Sequence, residues 1–371
     1  MPLFHRDETL ATYLSLAIQQ GAEIAPMALS VFPRGASVTD QQSELDHPTR
    51  KSDQPLTEDM GAAATSRQPA SADAISAGLE YLFARRQQRY WSICAADTRE
   101  SATWVTAYVL TRLVEVPSHQ ISYARRRKIE ESLDWLAEVR TPGGGWSFAG
   151  GQDDADSTAW AITALRQNGR AVADESLEWL RRCRRKDGGF ATDPDAANAP
   201  GNSCVSAPDV TAITVRALAS IDSATSEFLA SHLRTDFAGT PCRISSKFFI
   251  SSTLLDWEAG MAPWLVVDAV RDLACLSSSD NAWEQSLLLH CAMRLRMQTA
   301  WTLAAGLRRM QRPDGSWPGS AALLPVLSAR QSGAHFDEHG VLATVTSLSA
   351  LAMGDLQPGL YFGSDLPFRR L

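Results

Sequence analysis

The chain has 371 residues, a formal net charge of −7 and a pI of about 5.6, which argues against a basic surface for nucleic acid. Its length suffices for one large domain or two ordinary ones with a sizeable core. The first residues lack the charged-then-apolar order of a signal peptide, and no apolar run predicts a transmembrane helix. Six cysteines without a Cys-x-x-Cys pair are typical of a reduced, cytoplasmic protein.

The N-terminal part of the chain differs in composition from the remainder. Residues 1–32 place apolar side chains on one stripe and predict a helix. Residues 34–72 are rich in Ser, Thr, Pro, Asp and Gln, which is typical of a flexible linker or long loop. We therefore divide the chain into residues 1–72, a helix with its linker, and residues 73–371, one regular helical domain.

From residue 74 onward, amphipathic helices alternate with glycine-rich turns that end in an aromatic residue. The predicted helices are, in chain order, 74–87, 103–113, 128–140, 158–165, 175–185, 208–218, 228–237, 248–276 with a break at Pro263, 283–295, 302–311 and 340–351. This recurring unit of two helices and a turn is the signature of a repeat protein. One helix pair cannot bury both of its faces, so the pairs are expected to pack side by side in a closed ring.

The two helices of each pair differ in polarity. The second helices, such as 159–165 and 211–218, carry little charge, whereas the first helices carry basic runs at 125–128 and 181–186. The second helices are therefore expected to line the inside of the ring, with the first helices facing water. The basic runs are interpreted as solvated outer faces, with diphosphate binding as the alternative.

The residues with the most chemical character lie in the stretch 143–169. A run of glycines is followed by an acidic loop with Asp153, Asp154 and Asp156, and then by an apolar helix. An Asp or Ser just before an apolar run is typical of a helix N-cap. The acidic loop is therefore predicted to lie at the start of an inner helix.

The aromatic turns resemble those of a known family. The turns are Pro-Gly-Gly-Gly-Trp in 133–146, Asp-Gly-Gly-Phe in 177–190 and Asp-Gly-Ser-Trp in 310–317. They are similar to the glutamine–tryptophan repeats of squalene–hopene cyclases and to related repeats in protein prenyltransferase β subunits. The resemblance covers about residues 74–355 and implies an all-α fold, an (α/α)6 barrel of helical-hairpin repeats. It says less about the reaction, because one fold hosts several activities.

The segment 154–159, Asp-Ala-Asp-Ser-Thr-Ala, resembles the Asp-x-Asp-Asp-Thr-Ala motif of class II terpene cyclases. In that family the middle Asp protonates an alkene or epoxide, so the resemblance implies Asp156 as the acid and Asp154 as its neighbour. Ser157 stands where the motif has its last Asp. Carboxyls in one tight loop also repel each other, so that one pKa rises and a proton is shared. The predicted catalytic residues are Asp153, Asp154 and Asp156.

Protonation of an alkene creates a cation, which an aromatic face stabilises by about 0.5–2 kcal/mol. Residues near the starts of inner helices are therefore predicted to contact substrate: Trp104, Tyr108, Trp160, Asp209, Trp317, Phe336 and His339. Capping of a helix is the alternative role for Asp156 and Asp209, and packing is the alternative for the aromatic residues.

His339 and the neighbouring Glu338 are candidates for the base that ends a cyclisation, and a satisfied surface position is the alternative for the histidine. Protein prenyltransferases bind zinc in this part of the fold through Asp, Cys and His. Thr158 stands where the cysteine would be needed, so no metal and no cofactor are predicted.

The sequence thus predicts a class II terpene-cyclase-like enzyme, an isomerase or lyase that cyclises an isoprenoid or similarly apolar small molecule by acid initiation. Two alternatives remain open at this point. One is a non-catalytic α-barrel that binds a partner or a lipid, and the other is a prenyl-transfer subunit. No nucleic acid is expected as a partner, and peripheral membrane contact and the oligomeric state are left open.

Overall fold

The computed structural model describes residues 71–93, 102–148, 151–194, 205–234, 243–257, 268–269, 281–295, 297, 299–319 and 337–355. The contacts of the chain divide it between residues 67 and 68, and all described residues belong to the second unit. The helix predicted in residues 1–32 and nearly all of the predicted linker lie outside the described residues.

Within these ranges the structure contains eleven α-helices. They are α1 (Ser71–Ala84), α2 (Ala102–Leu113), α3 (Tyr123–Glu138), α4 (Ala155–Gln167), α5 (Asp174–Arg182), α6 (Pro208–Leu218), α7 (Ser223–Arg234), α8 (Arg243–Trp257), α9 (Ala282–Arg294), α10 (Ala300–Arg309) and α11 (Val341–Asp355). A short 3-10 helix, Ser118–Gln120, follows α2. The bounds of α6 are those predicted, whereas α4 begins at Ala155, before the predicted Thr158, because its cap lies further upstream.

Six helices form a closed inner ring. In ring order they are α2, α4, α6, α8, α9 and α11, and α11 packs against α2 to close the circle. The helices α1, α3, α5, α7 and α10 pack outside this ring. The predicted all-α barrel is confirmed, with the second helices of the pairs inside. The basic run at 125–128 lies on α3, and three of its four side chains are exposed.

Hydrogen bonds made by the turn aromatic connect the inner and outer helices of a repeat. The backbone N–H of Trp146 donates to Thr158 Oγ1 at 2.9 Å, and the indole Nε1 donates to the Leu136 carbonyl oxygen at 2.7 Å. The threonine belongs to the inner helix and the leucine to the outer helix. The same backbone-to-threonine bond recurs at Trp91–Thr106, Phe190–Thr211 and Trp317–Thr344. These turn aromatics therefore fix each inner helix against its outer helix.

The turn glycines are required by the packing of neighbouring repeats. Gly188 has a φ of +88°, and a Cβ built on it would lie 2.5 Å from the carbonyl oxygen of Ala224 in α7. Gly315, in the turn after α10, meets the backbone of Ala77 in α1 in the same way. The turn of the last described outer helix thus packs on the first, which closes the outer layer.

The described part of the chain contains two cysteines, Cys183 and Cys291, and both are free and buried. Burial raises the pKa of each thiol to about 12, so neither forms the reactive thiolate at neutral pH. Among the described helices, none has both the length and the apolar character needed to cross a membrane.

We expect Gly188→Ala to lower the free energy of unfolding by about 1–3 kcal/mol, because the new side chain enforces a strained φ and meets the α7 backbone. Urea denaturation measures the change. Gly151→Ala is the matched control, since a Cβ there has no atom within 4 Å. Equal stability of the two variants would contradict the packing described for the turns.

Candidate active site

Asp154 is the N-cap of α4. Its Oδ1 accepts a hydrogen bond from the Ser157 backbone N–H at 2.7 Å, and its Oδ2 accepts one from the Phe148 N–H at 2.9 Å. Desolvation raises the pKa of this carboxyl to about 6, although the backbone donors oppose the rise. Asp154 therefore ties the glycine-rich loop to the inner helix and brings an ionisable group to the helix start.

Asp153 stabilises the glycine turn. Its Oδ2 accepts a hydrogen bond from Thr141 Oγ1 at 2.7 Å, and a Cβ on Gly145 would lie 2.7 Å from the same oxygen. Asp153 thus supports the turn, and its charge also raises the pKa of Asp154; a catalytic role for it stays a prediction. A further carboxyl that acts on Asp156 comes from the next inner helix, α6, and is that of Asp209.

Asp156 lies in the first turn of α4 and faces the start of α2. Trp104 Nε1 donates a hydrogen bond to its Oδ2 at 2.7 Å. Capping is not its role, since Asp154 occupies the cap position. Desolvation raises the pKa of Asp156 well above its ordinary value, and the charges of Asp154 and Asp209 raise it further. The residue is only half-buried, so its carboxyl remains accessible at the start of the helix.

The register of the repeats explains why these groups meet. Trp104, Asp156 and Asp209 are equivalent residues, because each lies two positions before the threonine that binds the turn aromatic of its repeat. Their helices, α2, α4 and α6, are consecutive in the ring. The three residues are therefore at one height, at the mouth formed by the N-terminal ends of the inner helices.

Asp209 is not a helix cap. The N-cap of α6 is Ala207, which makes no side-chain hydrogen bond, and Asp209 Oδ1 accepts from the adjacent Val210 N–H at 3.0 Å. Desolvation raises the pKa of Asp209 as well. Asp209 therefore accepts a backbone N–H of the first turn from a position inside the helix, and it is a second desolvated carboxyl near Asp156.

Aromatic side chains continue from Asp156 into the ring. The ring centroids of Trp104 and Tyr108 are 5.4 Å apart, and those of Tyr108 and Trp160 are 4.8 Å apart. Trp160 in turn lies 5.6 Å from Phe249, which α8 contributes from beyond α6. Sequence reasoning missed Phe249, because its repeat has no clear turn from which to set the register.

Two other residues predicted to contact substrate, Trp317 and His339, lie in the turns before α11. Trp317 is fully buried, donates its Nε1 hydrogen bond to the Leu307 carbonyl oxygen and packs on Gly78. Its hydrogen bonds therefore join the two layers, and a contact with substrate stays a prediction. His339 lies in the turn before α11, where its carbonyl oxygen accepts a hydrogen bond from the Tyr81 hydroxyl at 2.5 Å. Phe336 lies outside the described residues.

Asp337 is the acidic residue of that turn that sequence reasoning overlooked. It is almost fully buried, and its Oδ2 accepts a hydrogen bond from the Ala343 N–H at 2.9 Å. Desolvation raises its pKa to about 6. An Asp shortly before an apolar run was the available signal. Elsewhere in the described ranges, no group of three or more His, Cys, Asp or Glu side chains is arranged to hold a metal ion.

Comparison with known proteins gives structural matches only. No family model matches the sequence, and no curated protein matches it. A crystal structure of a protein from Actinoplanes is 24% identical, with a TM-score of 0.59, and covers 77% of this chain and 100% of its own. The type II terpene cyclase MstE from Scytonema, without ligand, is 19% identical, with a TM-score of 0.60, and covers 76% of this chain and 97% of its own.

The chain has the fold of the type II terpene cyclases. A variant of MstE solved with its substrate, geranylgeranyl dihydroxybenzoate, is 18% identical, has a TM-score of 0.59, and covers 76% of this chain and 96% of its own. The structural match therefore covers about three quarters of the chain. Identities this low establish the architecture and leave the reaction to be argued from the site.

The buried carboxyl of Asp337 makes stability depend on pH. Its folded pKa of about 6 exceeds the unfolded value, so the stabilisation is complete below about pH 4 and is lost as pH rises through about 6. Asp337→Asn keeps an oxygen acceptor for the Ala343 N–H without the charge. Between pH 4 and pH 7.5 we expect this variant to gain about 2 kcal/mol relative to the wild type, as measured by urea denaturation.

Asp314→Asn provides the control with the opposite sign. Hydrogen bonds from Ser316 lower the pKa of Asp314. The free energy of unfolding of the wild type should therefore increase relative to that of Asp314→Asn as the pH rises. A parallel pH dependence in both variants would contradict the assignment of a buried, desolvated carboxyl to Asp337.

Proposed function

We propose that this protein is a class II terpene-cyclase-like enzyme that begins the cyclisation of an isoprenoid by protonating an alkene with Asp156. The observation that carries the proposal is a half-accessible, desolvated carboxyl beside Trp104 and Trp160, at one mouth of a barrel with the cyclase fold. A raised pKa keeps the proton on the acid until an alkene is in place.

The proposed reaction adds one proton to the substrate and later removes one, so that no proton is consumed overall. The Asp156 hydroxyl transfers its proton to one alkene carbon, which leaves a cation on the other carbon. The next double bond of the chain attacks that cation and closes a ring. Loss of a proton from the final cation to water or a base yields a neutral isomer of the substrate. Asp156 then regains a proton from solvent.

The neighbours of Asp156 have distinct roles in this scheme. Negative charge on Asp154 and Asp209 opposes ionisation of the acid and keeps it protonated. The indole N–H of Trp104 holds the carboxyl in one orientation. The rings of Tyr108 and Trp160 pack edge to face beside Trp104, and aromatic faces stabilise a cation by about 0.5–2 kcal/mol each.

One observation favours the second candidate, a non-catalytic barrel that binds a partner or lipid. The Trp160 and Phe249 rings meet across the inside of the ring, so the barrel is narrow at this height. Entry of an isoprenoid chain requires one of these side chains to change rotamer. MstE binds geranylgeranyl dihydroxybenzoate within the same fold, which supports the catalytic reading, with an isoprenoid as the substrate.

The decisive variant is Asp156→Asn, which keeps the shape and removes the acid. We expect product formation to fall by at least about 100-fold with no loss of stability, because Asp156 is not at the N-cap of α4. Extracts after incubation with polyprenes, prenyl diphosphates and prenylated benzoates are analysed by mass spectrometry. Glu178→Gln, an exposed acid on α5, is the charge-matched control and should keep wild-type turnover.

Loss of stability in Asp156→Asn with unchanged turnover would refute the proposal and make the residue structural. A wild-type protein that binds isoprenoids without converting any of them would favour the binding barrel.

A further inference from the structure

A second cluster of charged side chains occupies the opposite end of the ring. Arg112, Arg216 and Arg294 come from the C-terminal ends of α2, α6 and α9, and the carboxylates among them are Glu115 and Asp256. Among the described residues of this cluster, three guanidinium groups thus face two carboxylates. None of these residues takes part in the chemistry assigned to Asp156.

Two of the arginines are satisfied by their neighbours. Arg294 Nη2 binds Asp256 Oδ1 at 2.6 Å, and its Nη1 donates to the Ser252 carbonyl oxygen at 3.2 Å. Arg216 Nη1 donates to Ser252 Oγ at 3.3 Å and lies near the same aspartate. Cations at the C-terminal ends of helices also offset the helix dipole. These two arginines have a sufficient structural explanation.

Arg112 is different because much of its hydrogen-bonding capacity is unused. The side chain is 2% exposed, and its Nη1 lies 3.3 Å from both carboxylate oxygens of Glu115. Its Nε and Nη2 are buried and have no acceptor among the described residues. Tyr108 also favours the charged form of Arg112, but buried donors of a charged group are costly when unpaired, so these two nitrogens call for an acceptor that the described residues do not supply.

The position of Arg112 shows where that acceptor belongs. Its guanidinium carbon lies 5.2 Å from the centroid of Tyr108 on α2 and 5.5 Å from that of Phe248 on α8. Those helices are on opposite sides of the ring, so Arg112 reaches across its interior. Tyr108 also belongs to the aromatic path that begins at Asp156.

The titratable neighbours indicate a positive field at this end. Desolvation opposes ionisation of Glu115, yet Arg112, His290, Ser349 and Arg216 together lower its pKa to about 2. Burial lowers the pKa of His290 to about 3. The charge of Glu115 raises this pKa, and the charges of Arg112, Arg294 and Arg216 lower it. An anion placed here would meet net positive charge.

The two ends of the path are separated by a distance that suits an extended ligand. Trp104, which binds Asp156, and Arg112 are eight positions apart on α2, a rise of about 12 Å in an α-helix. A molecule with its alkene at Asp156 and a polar end at Arg112 would place its apolar carbons against the aromatic side chains between them.

We propose that Arg112 binds the anionic head group of the isoprenoid, so that the substrate is a prenyl chain ending in a carboxylate or phosphate. This inference rests on the proposed function, since it assigns the two ends of one substrate to Asp156 and Arg112. A guanidinium group presents two parallel N–H donors, which match the paired oxygens of either anion.

The test measures binding without turnover, in the Asp156→Asn background. The probes are geranylgeranoic acid, geranylgeranyl diphosphate and geranylgeraniol, which share one apolar chain and differ in the head group. Quenching of tryptophan fluorescence reports the affinity. We expect at least one anionic probe to bind about tenfold or more tightly than the alcohol, and the tighter of the two identifies the head group.

Two variants with opposite expected effects test the residue itself. Arg112→Met should abolish the preference for the anionic probe and leave the affinity for the alcohol nearly unchanged. Glu115→Gln should strengthen the preference, because it removes the carboxylate that competes for Arg112. A purely structural role predicts no such opposition, and Glu115→Gln decides the question if Arg112→Met does not fold. Arg170→Met, which breaks an exposed ion pair with Glu130, is the control.

Equal affinity for the alcohol and both anions, or a preference that Arg112→Met leaves intact, would overturn this inference. Product formation by the wild type is measured separately. An anion preference without any product would refute the cyclase proposal and leave an anion-selective barrel, whereas product from the alcohol with no preference would refute only the head-group site.

Discussion

The structure depends on one recurring hydrogen bond, between the backbone N–H of a turn aromatic and the hydroxyl of a threonine on the inner helix. Trp146 and Thr158 form it in the central repeat, and three other repeats form it with the same partners in equivalent positions. Because the bond is buried, it sets the axial position of these four inner helices firmly. Any side chain two residues before such a threonine therefore arrives at the mouth of the barrel.

That register accounts for the electrostatics of the proposed site. The ring places Asp156 against an indole on one side and the carboxyl of the next repeat on the other. Removal of water penalises the charged form, and neighbouring negative charge adds to the penalty. At the far end of the same helices, arginines gather where the helix dipoles are negative. The barrel thus separates a carboxyl with a raised pKa from a cluster of arginines by about the length of α2.

Much of the fold was predictable from local sequence patterns. Alternating amphipathic and apolar helices and Gly-rich aromatic turns sufficed to predict the ring, its layers and the bounds of α6. Where the turn is missing, as in the repeat of α8, neither the register nor Phe249 could be predicted. The acidic loop was read as one set, yet its members separate: Asp153 faces the turn, Asp154 caps α4, and only Asp156 faces the ring.

By itself, the sequence determined the repeat, the inner and outer helices and the presence of acids at an inner-helix start, because these follow from periodicity and helix capping. Only the tertiary structure decided which groups meet, since those contacts join residues from different repeats. Asp209 beside Asp156 and Arg112 facing Phe248 are pairings of this kind. Their partners are far apart in the chain, and ring closure alone brings them together.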